Sequence, residues 1–129
     1  MAGYPSGGAG GKLVIQTRID SRRFYILIPV RVGENLIIDF VLDTGAPLTS
    51  MSQRLYTRLQ AAGCLSHIAT NRYSLSLASI AGENIAPLNI RGSKFLASVG
   101  VDGVLGLDFL ARYTEVHFNV RTGLLTLTP

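Results

Sequence analysis

Apolar residues recur along this chain in short runs separated by polar or glycine-containing turns. Such runs, bounded by turn signals, are typical of strands. The pattern predicts strands over residues 13–17, 24–32, 36–42, 73–79, 85–90, 95–101, 115–120 and 124–128. The turns that join neighbouring strands into hairpins are Gly33-Glu34-Asn35, Ala81-Gly82-Glu83-Asn84 and Arg121-Thr122-Gly123.

Two segments carry a helical pattern instead. Ser50 or Ser52 is predicted to cap a helix that ends near residue 62, with Gly63 as its stop. Its apolar stripe, at spacings of four and three, consists of Leu55, Leu59 and Ala62. The second half of residues 102–110 predicts a short helix, in which Asp108 is a favourable charge near the N-terminus.

Composition favours one all-β domain. The chain has 129 residues, of which 47% are apolar, with 14 glycines and no tryptophan. A chain of this length buries enough surface for a core without disulfides or metals. Residues 1–12 are rich in glycine and bury too little apolar surface to offset their ordering entropy, so we predict a flexible leader or linker there. The folded domain is predicted over residues 13–129.

The net charge of +4 does not by itself indicate a nucleic-acid partner. The basic residues are scattered singly, and Arg22-Arg23 is the only adjacent pair. The apolar runs are too short to span a bilayer, and the N-terminus lacks the basic-then-apolar pattern of a secretory signal. We therefore expect a soluble domain, cytoplasmic or part of a larger protein, with no nucleic-acid or membrane partner.

The sequence gives little support for a metal site or a reactive thiol. Cys64 is the one cysteine, which excludes an intrachain disulfide and a multi-cysteine zinc site, and a buried or half-buried thiol is the expectation. His67 and His117 lack metal-ligand spacing to each other. We predict no metal and no cofactor.

The strongest chemical signal follows the strand over residues 36–42. Phe40-Val41-Leu42 predicts a strand end buried on both faces, and Asp43-Thr44-Gly45-Ala46 follows at once. Gly45 and Pro47 then turn the chain. Because an ionised aspartate is rarely buried without a partner, some group must hold Asp43. Asp43 is therefore either a catalytic carboxylate or a carboxylate that caps a turn.

The chain resembles the retropepsin-like aspartic proteases, the single-lobed relatives of pepsin. The resemblance spans residues 24–128 and rests on Asp43-Thr44-Gly45-Ala46, the helix after it, the hairpin around Gly82 and the triplet Val104-Leu105-Gly106. Residues 102–110 are most similar to the cellular and bacterial branch of the family. The resemblance implies a retropepsin-like closed β-barrel with one main helix and a flap hairpin.

Site roles follow from this resemblance. It implies that Asp43 is catalytic. Supporting residues of the catalytic loop would be Thr44, Gly45 and Ala46. The segment beneath that loop would be Val104, Leu105 and Gly106. A flap that covers the substrate would be formed by Ser79, Ile80, Ala81, Gly82 and Glu83.

The implied chemistry needs two aspartates that share one proton, yet the chain has one Asp-Thr-Gly. Asp102 is the other candidate, since it follows Gly92 by ten residues as Asp43 follows Gly33, a weak internal repeat. Gly103 stands where a Ser or Thr is expected, so a turn or cap role suits Asp102 better. The resemblance therefore implies a homodimer in which two Asp43 residues meet on a twofold axis.

The main expectation is an aspartic endopeptidase that cleaves a peptide or protein substrate with apolar side chains near the scissile bond. Two alternatives remain open. In the first, the same fold is a non-catalytic dimerisation or peptide-binding module. In the second, a small β-barrel binds ligands as a monomer.

Overall fold

A computed structural model describes residues 11–129, so all but the last two residues of the predicted leader lie outside it. The strands are β1 (Leu13–Gln16), β2 (Arg18–Asp20), β3 (Tyr25–Val32), β4 (Leu36–Leu42), β5 (Ser50–Met51), β6 (Leu65–Ala69), β7 (Arg72–Leu75), β8 (Ala78–Ile80), β9 (Glu83–Asn84), β10 (Leu88–Gly92), β11 (Gly103–Leu105), β12 (Glu115–Asn119) and β13 (Leu124–Thr128). The helices are α1 (Gln53–Ala61), α2 (Phe95–Ser98) and α3 (Leu107–Leu110). Within this range, none of the helices is long and apolar enough to cross a membrane.

The β3–β4 hairpin is the centre of the fold and confirms the predicted pairing. Its register runs from Val32 opposite Leu36 to Leu27 opposite Val41. Gly33 takes a φ of +64° in the turn, a conformation that glycine adopts without strain. Because apolar side chains of β3 and β4 enter the core, the hairpin holds the end of β4 in a fixed position.

Ten strands form one sheet in the order β6-β7-β10-β5-β11-β4-β3-β8-β9, with β2 paired to β3. The sheet curls into a half-barrel, which confirms the predicted all-β class, although the structure is mostly β with short helices and the barrel is half-closed. β11 lies parallel to β4 and antiparallel to β5. β11 therefore lies between β4 and β5, and it brings a segment from late in the chain directly beside the strand that leads to Asp43.

A second sheet, β1-β13-β12, closes one side of the core. The β12–β13 hairpin confirms the predicted closing hairpin. Buried side chains from this sheet are Leu13, Ile15, Leu125 and Leu127. Full burial of each such side chain contributes roughly 1.5–3 kcal/mol, so both ends of the described chain anchor the domain.

Helix α1 confirms the predicted main helix and decides which serine caps it. The Ser52 hydroxyl accepts a hydrogen bond from the Leu55 N–H, whereas Ser50 lies in β5. Leu55 and Leu59 are buried, as their spacing predicts. Gly63 follows with a φ of +71°, which ends the helix.

The predicted strand over residues 95–101 is wrong, because this segment begins with helix α2. The N–H groups of Val99 and Val101 both donate to the Leu96 carbonyl oxygen, which closes a helical turn. Leu96 and Val101 are buried on one side of this turn, so helical spacing also satisfies their apolar character. The weak internal repeat over residues 33–43 and 92–102 therefore has no structural counterpart.

The predicted strand over residues 73–79 is two strands with different partners. β7 pairs with β6 and β10, whereas β8 pairs with β3 and β9. Between them, Ser76 donates its N–H to Cys64, and Leu77 accepts from the Gly33 N–H. Ala78 is buried in place of Leu77, which is 48% exposed. The strand predicted over residues 85–90 begins only at Leu88, as β10, and β9 lies before the predicted range.

Candidate active site

The end of β4 presents Asp43 on a tight, exposed turn. The Asp43 N–H donates to the Leu105 carbonyl oxygen at 3.0 Å, which continues the pairing of β4 with β11. Its side-chain Oδ1 accepts from the Gly45 N–H at 2.9 Å, and its carbonyl accepts from Ala46 at 3.2 Å. These bonds orient the carboxylate while leaving it open to solvent.

The segment after β11 lies directly against this turn. The Leu107 N–H donates to the Ala46 carbonyl oxygen at 2.8 Å, and the Asp108 N–H donates to that of Pro47 at 3.2 Å. Gly106 makes the approach possible, since a Cβ atom there would lie 2.7 Å from the Ala46 oxygen and from the Leu48 carbonyl carbon. Val104 and Leu105 are buried just before it. The structure thus brings the predicted supporting triplet against the Asp43 loop.

The buried hydroxyl of Thr49 joins the Asp43 loop to the segment after β11 by hydrogen bonds. Thr49 is fully buried, and its N–H and hydroxyl both donate to Oδ1 of Asp108, at 2.9 and 2.7 Å. The same hydroxyl accepts from the Gly106 N–H at 3.1 Å. Asp108 does lie in the first turn of α3, as predicted, but sequence reasoning missed this contact. A lone threonine between a loop and a strand carries no signal of such a partner.

Thr44 and Gly45 form the exposed tip of the turn. The Thr44 hydroxyl makes no hydrogen bond to any residue in the range 11–129. A Cβ atom on Gly45 would lie 3.2 Å from Oδ1 of Asp43, which is tighter than an ordinary contact. The tip is therefore compact, and its threonine hydroxyl remains available to another molecule.

An apolar wall stands beside the turn. A small cluster separate from the main core consists of the buried residues Val41, Leu96, Val101 and Val104. Partly buried residues packed against it are Tyr25, Leu27, Ala46 and Val99. Because the partly buried members keep some exposed apolar surface, and Ala46 belongs to the Asp43 loop, the wall can hold an apolar side chain of a bound molecule.

Asp102 does not meet Asp43 within one chain. β11 and β4 are parallel with Gly103 opposite Phe40, so Asp102 lies level with Asp39. That position is four residues before Asp43, roughly 13 Å away at the rise of a strand. Asp102 instead accepts from the N–H and hydroxyl of Ser52, the residue that caps α1. The cap role suggested for Asp102 agrees with these contacts.

The hairpin around Gly82 exists, but it lies away from the Asp43 turn. Ser79 pairs with Arg31, and Arg31 pairs with Ile37, six residues before Asp43 on β4. At the rise of a strand, this separation is roughly 20 Å. This spacing gives no support to the flap predicted over residues 79–83, which stays a prediction.

The remaining residues of that hairpin fit a packing role. Ile80 is 0% exposed and belongs to the main core. Ala81 and Gly82 both have a positive φ, which forms a two-residue turn between Ile80 and Glu83. The apolar character of Ile80 therefore reflects burial in the core.

A different hairpin, β6–β7, borders the segment that follows Asp43. A bulge between His67 and Ala69 interrupts its register, and Ile68 within the bulge is 58% exposed. Ile68 lines a cavity of about 210 Å³ together with Leu48 and Thr49, the continuation of the Asp43 loop. Bulges often redirect a side chain next to a functional site. Sequence reasoning missed β6 because its residues are mostly exposed and show no apolar alternation.

The tip of the β6–β7 hairpin is tied to β10. The Asn71 side chain donates to the Gly92 carbonyl oxygen at 3.0 Å and accepts from the Gly92 N–H at 3.2 Å. Asn71 has a φ of +56°, a left-handed conformation that asparagine tolerates better than most residues. This pair of hydrogen bonds holds the hairpin against the sheet.

The other chemically notable residues lie elsewhere. Cys64 is buried, and burial raises the pKa of its thiol. His67 contacts the ring of Tyr73, and His117 pairs with Thr126 in the terminal sheet. Among residues 11–129, no group of three or more His, Cys, Asp or Glu side chains is arranged to hold a metal ion.

Comparison with known proteins identifies the fold. No protein-family model and no curated protein sequence matches the chain. A retropepsin-like aspartic protease from Rickettsia conorii is similar in structure, with a TM-score of 0.62 and 21% identity over 91% of this chain and 90% of that one. The retroviral protease-like domain of Ddi1 from Leishmania major has a TM-score of 0.62 and 20% identity, over 80% and 84% of the two chains. The chain therefore has the retropepsin-like fold that its sequence resembles.

Proposed function

We propose that this chain is an aspartic endopeptidase that acts as a homodimer, with one Asp43 from each subunit. The observation that carries the proposal is the Asp43 carboxylate, exposed at the tip of a turn that backbone hydrogen bonds hold on both sides. A carboxylate that merely caps a turn needs no such support from a distant strand. The retropepsin-like fold adds to this observation.

The need for a second subunit follows from the position of the carboxylates. Asp102 contacts Ser52 and lies roughly 13 Å along the strand from Asp43, so one chain does not supply an aspartate pair. In a twofold dimer the two Asp43 turns face each other across the axis. The Thr44 hydroxyl, which has no partner within residues 11–129, would then bond to the opposite turn.

Two adjacent carboxylates cannot both ionise easily, so the pair would hold one proton. The ionised carboxylate accepts a proton from water as the water oxygen attacks the peptide carbonyl carbon. The protonated carboxyl donates to the carbonyl oxygen. The tetrahedral diol then collapses: one of its hydroxyls returns a proton to the ionised carboxylate, the C–N bond breaks, and the amine leaves with the proton that the other carboxyl took from water. No covalent enzyme intermediate is required.

The surroundings of Asp43 suit an extended peptide. The partly buried members of the apolar wall, such as Leu27 and Ala46, would hold a hydrophobic side chain next to the scissile bond. Main-chain groups of the peptide would bond to neighbouring backbone in the manner of an added strand. The β6–β7 hairpin, which borders the cavity beside Leu48, is the element we propose as the cover of this cleft.

The test is cleavage of a mixed peptide library between mildly acidic and neutral pH by the native chain and by Asp43→Asn. Asparagine keeps the shape of the side chain but cannot share the proton, so we expect cleavage to fall by at least about a thousandfold, as for loss of a group central to acid–base chemistry. Asp102→Asn is the matched control, and it should retain cleavage because Asp102 is remote from the turn. Sedimentation should show dimers in the active preparation.

Other outcomes would support the alternatives. Equal cleavage by the native chain and Asp43→Asn would contradict the proposal. Peptide binding without cleavage would favour the non-catalytic dimerisation or peptide-binding module. A monomer at micromolar concentration that stays monomeric with a substrate analogue would favour the ligand-binding monomer.

A further inference from the structure

Two arginines face each other on the wall of the cavity beside the Asp43 loop. In the β7–β10 pairing, Arg72 lies directly opposite Arg91, and both side chains line the cavity that Leu48 and Ile68 also line. Like charges directly opposite each other on antiparallel strands are destabilising. A fold retains such a pair at some loss of stability, which indicates that the position has another use.

Neither arginine is neutralised by the rest of the described chain. The ion pairs formed by residues 11–129 are Arg18–Asp39 and Arg23–Asp20. Asp108 is the acidic residue among those that line the cavity, but it forms no ion pair with either arginine. Oδ1 of Asp108 instead accepts hydrogen bonds from Thr49 and from the Phe109 N–H. The cavity therefore carries an excess of positive charge.

The remaining walls are largely apolar, and the cavity is small. Leu48 and Ile68 supply apolar surface, whereas Ile90 is buried; the other lining residues are Thr49, Tyr73 and Asn89. Its volume of about 210 Å³ is below the roughly 300–1,000 Å³ of a typical small-molecule site. One side chain with an apolar stem and an anionic end matches both the size and the chemistry.

We propose that this cavity, the Arg72 pocket, selects an acidic side chain of the peptide substrate. The inference rests on the proposed function of the Asp43 turn. The methylene groups of a substrate Glu would contact Leu48 and Ile68, and its carboxylate would lie between Arg72 and Arg91. Because the apolar wall adjoins Asp43 and the pocket begins at Leu48, the acidic residue is not one of the two that flank the scissile bond.

A twofold dimer contains two copies of the pocket, one on each side of the catalytic pair. The preferred substrate therefore has apolar residues at the scissile bond and an acidic residue farther out on both sides. Adjacent residues of an extended peptide point to opposite faces, so acidic preference should appear at separate positions rather than along a continuous run. Arg72 and Arg91 are specificity residues in this proposal, not catalytic ones.

The experiment uses the full chain with Asp43→Asn, which leaves the pocket unchanged and prevents turnover. Matched peptides with an apolar centre carry Glu, Gln or Lys at each outer position in turn, and binding is measured by fluorescence anisotropy at low and high salt. We expect a three- to tenfold preference, in order of magnitude, for Glu over Gln, weakened by salt. The preference should disappear with added Arg72→Gln and turn towards Lys with Arg72→Glu.

Controls separate the pocket from general charge effects and from misfolding. Arg121→Gln removes a charge from the β12–β13 turn and should leave the Glu preference intact. The thermal midpoint of Arg72→Gln should equal or exceed that of the parent, because a repulsive cross-strand pair is removed. Equal binding of Glu and Gln peptides, a preference that survives Arg72→Gln, or no binding by any peptide would overturn the inference.

Cleavage by the native chain is measured with the same peptides and tests the proposed function separately. Cleavage without any Glu preference would leave the protease in place and remove the Arg72 pocket. Glu-selective binding with no cleavage by the native chain would support the Arg72 pocket and contradict the protease, since the pocket would then belong to a peptide-binding module.

Discussion

Two hairpins of the large sheet, β6–β7 and β8–β9, differ in what their apolar side chains contact. In β8–β9, Ile80 is fully buried and the strand adds to the edge of β3. In β6–β7, Ile68 is exposed on a bulge beside the Asp43 loop, and the tip is held by Asn71. An apolar side chain that the fold buries stabilises the fold, whereas one left exposed at a cavity is available to bind another molecule.

This contrast also bears on how a flap is recognised in the sequence. Alternation of apolar and polar residues marks a strand with one buried face, and residues 73–79 carry that alternation. In the hairpin next to the Asp43 loop, β7 carries part of this alternation, whereas β6 lacks it because it buries little surface of its own. A segment whose function is to cover a bound molecule is therefore poorly visible to a search for core-facing patterns.

The largest effect should come from Ile80→Ala. This change removes a fully buried side chain from the main core, and such truncations cost about 2–5 kcal/mol. Urea unfolding of the native and variant chains measures the difference, and the folded variant should bind peptides as the native chain does. A loss below about 1 kcal/mol would mean that β8–β9 is not the packed hairpin of the pair.

An intermediate effect should come from releasing the tip of β6–β7. Asn71→Gly keeps the positive φ but removes both side-chain hydrogen bonds to Gly92, each worth about 0.5–1.5 kcal/mol. We expect faster amide hydrogen exchange within residues 65–75 and a stability loss of about 1 kcal/mol. The matched control is Ala81→Gly at the other tip, where glycine relieves a positive φ and stability should be unchanged or higher. Unchanged exchange in Asn71→Gly would show that the tip is held by other contacts.

The smallest change in stability should come from Ile68→Ala. Because Ile68 is largely exposed, the free energy of unfolding should change by no more than about 0.5 kcal/mol. Peptide affinity of the Asp43→Asn chain should nevertheless fall several-fold, since Ile68 lines the Arg72 pocket. A variant that loses stability but not affinity would reverse the roles assigned to the two hairpins.

Much of the fold was predictable from local patterns. The β3–β4 hairpin, helix α1 with its Ser52 cap and the β12–β13 hairpin all follow from turn residues and apolar spacing. Residues 95–101 were assigned wrongly because a short apolar segment fits both a strand and a helical turn. The hydrogen bonds to the Leu96 carbonyl oxygen distinguish the helical turn from a strand, and they form only once Leu96 is buried.

By itself, the sequence determined that an apolar strand ends on Asp43 and that a compact turn follows, because both depend on neighbouring residues. Only the tertiary structure decided what surrounds that turn. The parallel pairing of β11 with β4, the contact of Thr49 with Asp108 and the opposition of Arg72 and Arg91 join residues far apart in the chain. Such contacts depend on the register of the whole sheet, and no local pattern of residues encodes that register.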